Sequence, residues 1–328
     1  MAALLQNAHA WGFVCGRIAV LERSILGSDF YQTLLAQHRP EDILRQLQET
    51  SLREAVTAAG DWEDWSATID QHFYNQVASI RKDCPDTRIP DLFLLQGDYQ
   101  NLKRALIGQR LYPFHHAVLT PELLNAAANA DFMALPIPFR GAAQAGSLAL
   151  EKGEITGLDP ILDGCYLRHL LLSANEIKVP HITEYYETLV LSRILVFLWR
   201  GMRTRGLSRA ASEHLLPMGS LTETARALIN TEDSKNWADV LPTALSRLVS
   251  EHAESTSNSS PQQFELAVDN MLFDHARRGQ GQVSGPERVF SFLCALATEA
   301  YNLKLAVCGR LSRIDGDMLK PRLRRTHA

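Results

Sequence analysis

Two stretches of this chain are near copies of one another: GDYQNLKRALIG, residues 97–108, and TEAYNLKLAVCG, residues 298–309. Each reads acid, two residues, Asn-Leu-Lys, then an apolar half-turn closed by glycine. Residues three apart share a helix face. Asp98 therefore lies beside Asn101, and Glu299 beside Asn302. Leu102, Ala105 and Leu106 form the apolar stripe of the first copy; Leu303, Ala306 and Val307 form that of the second. A polar-studded helix kept twice points to a repeat architecture, in which related units bury their faces against each other. The carboxylate and amide are expected to cap or bridge exposed backbone groups of a neighbour and to fix register where apolar packing alone would allow sliding. Asp98, Asn101, Lys103, Glu299, Asn302 and Lys304 are accordingly read as architectural positions.

Helix signals dominate elsewhere. RPEDILRQLQ places Pro40 in a first turn with Glu41 and Asp42 behind it, at the positive end of a helix. Ser51–Glu54, Ser220–Glu223 and Ser284–Glu287 have the capping-box spacing, and Thr120 before Pro121 reads as an N-cap. FELAVDNMLFDHARRG sets Phe264, Val268, Met271 and Leu272 on one stripe before Gly279. Alternating strand patterns are scarce, so the expected fold is all-α. Two stretches break the pattern: residues 135–160, rich in Gly and Pro, read as a long irregular connection, and the Ser-rich 251–263 as a mobile loop. A third copy of the repeated helix is sought in EYYETLVLSRILVFLWRGMRTRG, residues 184–206, where Leu191 and Ile194 replace the acid and the asparagine.

Composition bounds the partners. A net charge of −4 gives no overall attraction to nucleic acid. The longest apolar run, ILVFLW at 194–199, with the preceding LVL, covers about half of the ~20 residues that a spanning helix needs. The opening MAALLQNAHAWGF has no basic region followed by a long apolar core, so a cytosolic location is expected. Cys15, Cys84, Cys165, Cys294 and Cys308 are scattered, with no CxxC pair, and read as reduced, mostly buried thiols.

A search for chemistry returns no catalytic, cofactor-binding or metal-binding residue. His115 and His116 are adjacent, and on a helix they would point about 100° apart. The sequence contains neither HExxH nor GxxxxGK[ST]. Gly279, Gly281 and Gly285 follow no strand, GAAQAGS lacks a phosphate-holding lysine, and Asp159 and Asp163 read more simply as first-turn carboxylates than as an acid–base pair. Arg200, Arg203 and Arg205 form the dense basic cluster, either a solvated helix end or a contact with acidic loops of a partner. The basic end LKPRLRRTHA reads as a solvated tail, with an anionic partner as the sharper alternative.

Five segments in order carry a resemblance. WGFVCGRIAVLERSILGSDFYQTLLA, GDYQNLKRALIG, GLDPILDGCYLRHLL, LPMGSL and ATEAYNLKLAVCGRLSRI, together spanning about residues 11 to 314, resemble the C subunit of V/A-type rotary ATPases, known as the d subunit in the eukaryotic vacuolar enzyme. Met218 stands where that family usually has Gly. The resemblance implies a funnel of three related helical lobes, here 1–110, 111–210 and 211–328, with pseudo-threefold symmetry. It further implies a non-catalytic central-stalk part, peripheral on the cytoplasmic face of the membrane, that seats on the proteolipid (c/K/L) ring and receives the shaft made by the D and F subunits. Such a part passes torque for ion transport coupled to ATP synthesis or hydrolysis, binds no cofactor or nucleic acid, and meets the membrane only through the ring. The rival reading is a helical-repeat adaptor of another complex.

Overall fold

The computed structural model of the protein describes residues 2–58, 65–153, 155–203, 212–217, 219–231, 233–253 and 261–327. Helix accounts for 79% and no strand occurs among the described residues, as the scarcity of alternating patterns predicted. The helices are α1 (Ala2–Leu21), α2 (Ser28–Ala36), α3 (Pro40–Gln48), α4 (Arg53–Ala58), α5 (Trp65–Asp83), α6 (Arg88–Leu106), α7 (Pro121–Ala128), α8 (Ile137–Glu151), α9 (Ile155–Ile177), α10 (Pro180–Arg203), α11 (Thr222–Asn230), α12 (Thr243–Ala253), α13 (Pro261–Arg277), α14 (Pro286–Leu311) and α15 (Gly316–Leu319).

The chain divides into two compact units. One comprises Met1–Phe93, Pro113–His115 and Asp269–Ala328; the other comprises Leu94–Tyr112 and His116–Val268. The repeated helices fall one to each: GDYQNLKRALIG in the second unit, TEAYNLKLAVCG in the first.

In the first unit α14 is the central post, packed by α1, α2, α3, α5 and α15. Pro286 starts it at a position where no helical N–H is lost, and Glu287 faces the positive end of its dipole. Phe290, Phe292, Leu293, Leu303, Ala306 and Val307 are all essentially shielded from solvent. α3 shows the sequence logic at small scale: Pro40 opens it, Glu41 and Asp42 fill the first turn, and Ile43 and Leu47 go inward.

In the second unit α8 packs along α9, and α9 along α10. The irregular connection expected over residues 135–160 is instead α8 and the start of α9, with Pro160 inside the helix. The glycines there have two uses: Gly153, φ +74°, turns the chain between α8 and α9, and Gly146 reports close packing. A Cβ at Gly146 would stand 3.0 Å from Leu106 Cδ1 and 3.1 Å from Leu158 Cδ1, so a small residue lets neighbouring helices approach. The mobile loop expected at 251–263 is bounded by the end of α12 and the start of α13, and its middle, 254–260, lies outside the described residues.

The capping boxes do not form. Ser51 Oγ lies 3.3 Å from His72 Nε2 rather than on a helix end, and neither α11 nor α14 has a side-chain cap. Spacing alone cannot supply the extended backbone that a cap needs. Leu221, at the cap position of α11, is already right-handed helical, and Gly285 before α14 takes φ 138°, which favours glycine. Thr120 does cap, accepting from the Leu123 N–H at 3.4 Å. Phe264, Val268 and Leu272 form the buried stripe of α13, while Met271 is half-buried.

Candidate functional site

The repeated helices end differently although both copies close on glycine. After α6, Gly108 takes φ +68°, its N–H reaches Ala105 O at 3.2 Å and the Gln109 N–H reaches Arg104 O at 2.8 Å. That is the double bond pattern of a glycine-terminated helix. α14 runs on past Gly309, and the left-handed residue is Arg313, φ 62°. Gly309 is small for another reason: a Cβ there would lie 2.7 Å from Leu319 Cδ1. One sequence letter thus serves a turn in the first copy and a tight contact in the second.

The polar residues do matching work. In the second unit Asn101 Nδ2 donates to Tyr112 O at 3.0 Å while the Tyr112 N–H donates to Asn101 Oδ1 at 2.8 Å. In the first unit Asn302 Nδ2 donates to Arg324 O at 3.0 Å and the Arg324 N–H donates to Asn302 Oδ1 at 2.8 Å. A carboxamide carries the same donor and acceptor as a peptide unit. Each asparagine therefore completes a two-bond rung with a segment that follows its helix. Both are buried, Asn302 fully.

The carboxylates one turn earlier take backbone N–H groups. Asp98 Oδ2 accepts from Val118 at 2.9 Å and from Leu119 at 3.3 Å. Glu299 Oε2 accepts from Leu26 at 2.6 Å, and Tyr31 OH donates to the Glu299 carbonyl at 3.4 Å. Burial pushes the Glu299 carboxyl up to about 7, against a smaller opposing effect of the Leu26 N–H.

The lysines reach acids on other helices. Lys103 of α6 pairs with Asp159 of α9, and Lys304 of α14 with Asp70 of α5 at 2.6 Å. α10 lacks the Asn-Leu-Lys letters, yet Arg193 and Arg200 both engage Glu265 of α13, the former at 3.4 Å. Beside them Trp199 stacks on Phe264 with ring centroids 4.8 Å apart. Three long helices thus each present a cation to an acid on another long helix. Asp159 is not a first-turn residue, since the first turn of α9 holds no acid; its partner is a lysine, not a dipole.

Of the basic cluster, Arg200 is half-exposed and its guanidinium meets Glu265. The backbone of Arg203 closes α10, and Arg205 lies outside the described residues. The basic end of the sequence is not a solvated tail. Arg324 is 8% exposed: its guanidinium donates to Asp269 Oδ2 at 3.0 and 2.8 Å and lies 3.2 Å from the centroid of the Tyr301 ring. Arg325 pairs with Asp274. Sequence reading missed this because the acids that receive the arginines lie some fifty residues away on α13.

A groove of about 860 Å³ in the first unit is lined by residues including Arg23, Phe30, Arg45, Gln46 and Glu49. Neither the repeat positions nor the arginines of the basic cluster line it. Among the described residues no group of three His, Cys, Asp or Glu side chains is placed to hold a metal ion. Nor is any helix there long and apolar enough to cross a membrane.

The C subunit of the V-type sodium ATPase of Enterococcus hirae is 20% identical over 317 residues, which cover 93% of this chain and 95% of that relative. The family described as ATP synthase (C/AC39) subunit matches residues 14–322. With nearly the whole sequence inside that match, the chain belongs to the ATP synthase (C/AC39) subunit family.

Proposed function

We propose that this chain is the non-catalytic central-stalk subunit of a V/A-type rotary ATPase, a socket that joins the membrane proteolipid ring to the shaft of the D and F subunits and transmits torque between them. The observation that carries the reading is the family match over residues 14–322. The matched asparagine locks support it: a coupling element needs stiff units, and each buried amide–peptide rung ties a long helix to the segment that follows it. The three-lobed arrangement, with boundaries near 110 and 210, belongs to the same proposal. It is supported by four helix-to-helix ion pairs at three places, at Lys103, at Arg193 and Arg200, and at Lys304. In this reading the protein is peripheral on the cytoplasmic face and touches the membrane sector only through the ring. Broad surfaces, not one pocket, make both contacts.

The test is reconstitution of the purified chain with the ring and the D–F shaft. One copy per ring, bound to both partners, is expected, and omission of the chain should leave ATP hydrolysis uncoupled from ion transport. A chain that binds neither partner overturns the proposal. Reversing the charges of Arg200, Arg203 and Arg205 together tests the basic cluster: unchanged co-purification removes it from the contact surface.

A further inference from the structure

Residues Leu323–His327 lie across α13 and α14 as an extended strap. Arg324 makes the backbone rung with Asn302 and places its guanidinium between Asp269 and the face of Tyr301. The Arg325 N–H donates to Asn270 Oδ1 at 2.9 Å and its side chain pairs with Asp274. His327 Nε2 lies 3.0 Å from Gln280 Nε2. Leu323 is the strap's only aliphatic side chain and is half-buried. Charge and hydrogen bonds therefore dominate these contacts of the strap, His327 Nε2 also lying 4.0 Å from Glu22 Oε1. The exposed Arg325–Asp274 pair weakens with salt, the buried Arg324–Asp269 pair less so, and both can exchange with competitors of the same chemistry.

The receiving surface is built for that chemistry. Asp269, Asn270 and Asp274 on α13 supply two carboxylates and one amide oxygen. On α14, Tyr301 supplies a ring face and Asn302 a peptide-like donor and acceptor. A ring face opposite a carboxylate suits a planar guanidinium better than an ammonium, and the Asn302 rung selects an extended backbone. This combination recognises two consecutive arginines in an extended peptide.

We propose that the surface formed by Asp269, Asn270, Asp274, Tyr301 and Asn302 is a recognition site for an extended di-arginine segment, which this chain fills reversibly with its own Leu323–His327. The strap acts as an intramolecular competitor, so that a partner carrying such a segment gains access only when the strap lifts. This goes beyond the rotor reading and does not depend on it.

The test uses the full-length chain and a fluorescent peptide of residues 319–327, LKPRLRRTH. The Arg324→Ala/Arg325→Ala variant, whose strap has lost its charges, should bind the peptide about tenfold more tightly than the unaltered chain, since a competitor lowers apparent affinity by the fraction of time it occupies the site. Raising salt should weaken binding, and adding Asp269→Asn/Asp274→Asn should abolish it. Equal binding by both chains, no binding by a folded variant, or binding that survives loss of both aspartates would overturn the proposal. Should the double variant not fold, hydrogen exchange on the unaltered chain decides. The Arg324 and Arg325 amides are expected to exchange well before those of Asn302–Val307 in α14, and faster as salt rises. Exchange in step with α14 would show a permanent part of the core and sink the idea.

Discussion

Asn302 and Arg324 exchange two hydrogen bonds, side-chain amide to main-chain peptide, at 3.0 and 2.8 Å. The same exchange joins Asn101 to Tyr112, 11 residues further on rather than 22. The rung, not the loop length, is what the two copies share.

Removing the Asn302 amide leaves the Arg324 N–H and C=O without partners, and each buried orphan costs about 1–3 kcal/mol. Asn302→Ala should lose about 2–4 kcal/mol, a Tm drop of several degrees for a unit of this size. Asn302→Asp should be at least as harmful, because a carboxylate keeps the acceptor but sets a negative charge against the Arg324 carbonyl. Thermal unfolding of both variants checks this; an Ala variant as stable as the parent would show that the rung is not formed.

Glu299 makes stability depend on pH. Its folded-state value, about 7, lies above the ordinary glutamate value of 4.5, so between those limits the folded chain holds a proton that the unfolded chain releases. The contribution is complete below about 4.5 and is lost as pH rises through about 7, on the order of a few kcal/mol. Glu299→Gln keeps an oxygen for the Leu26 N–H without the charge. Denaturant titrations from acid to neutral pH should show the parent losing stability relative to this variant as pH rises, and parallel curves would contradict the assignment.

Gly164 and Gly309 are both too close to neighbours for a side chain, but not equally. A Cβ at Gly164 would lie 1.9 Å from the His214 carbonyl oxygen, whereas one at Gly309 meets the end of the Leu319 side chain at 2.7 Å. Backbone cannot rotate away as a leucine can. Gly164→Ala should therefore destabilise by more than about 3 kcal/mol, and Gly309→Ala by about 1–3 kcal/mol. Melting curves that rank the two in the opposite order would refute this.

The two lysine pairs should differ in strength. Lys103 and Asp159 are 38% and 62% exposed, while Lys304 and Asp70 are 32% and 18% exposed. A double-mutant cycle on the first pair is expected to give under about 0.5 kcal/mol, and one on the second a larger coupling that salt screens less. Equal couplings would show that burial does not set the difference.

Local rules made much of the fold legible. The 3.6-residue period, Pro40 at a helix start and the Thr120 cap all depend on residues within one or two turns, and the structure has each of them. Residues 135–160 misled because Gly and Pro have two uses. Gly146 gives room between packed helices, and which use applies depends on Leu106 and Leu158, both outside its own helix. The positions of the asparagines were equally plain; what they hold was not. Tyr112 and Arg324 carry no letter pattern that marks a strand-like partner.

The amino-acid sequence by itself determined an all-helical chain, the two Asn-Leu-Lys helices and, through five ordered segments, the family, because helix periodicity and motif order are written in neighbouring residues. Tertiary structure alone decided that Arg193 and Arg200 answer Glu265 where the lysine motif is lost, that Gly108 ends a helix while Gly309 admits Leu319, and that a run of arginines read as a solvated tail lies against Asp269, Tyr301 and Asn302. The physical reason is distance along the chain. Burial and ion pairing are set by whichever residues the fold brings to within a few ångströms, and no local pattern encodes that choice.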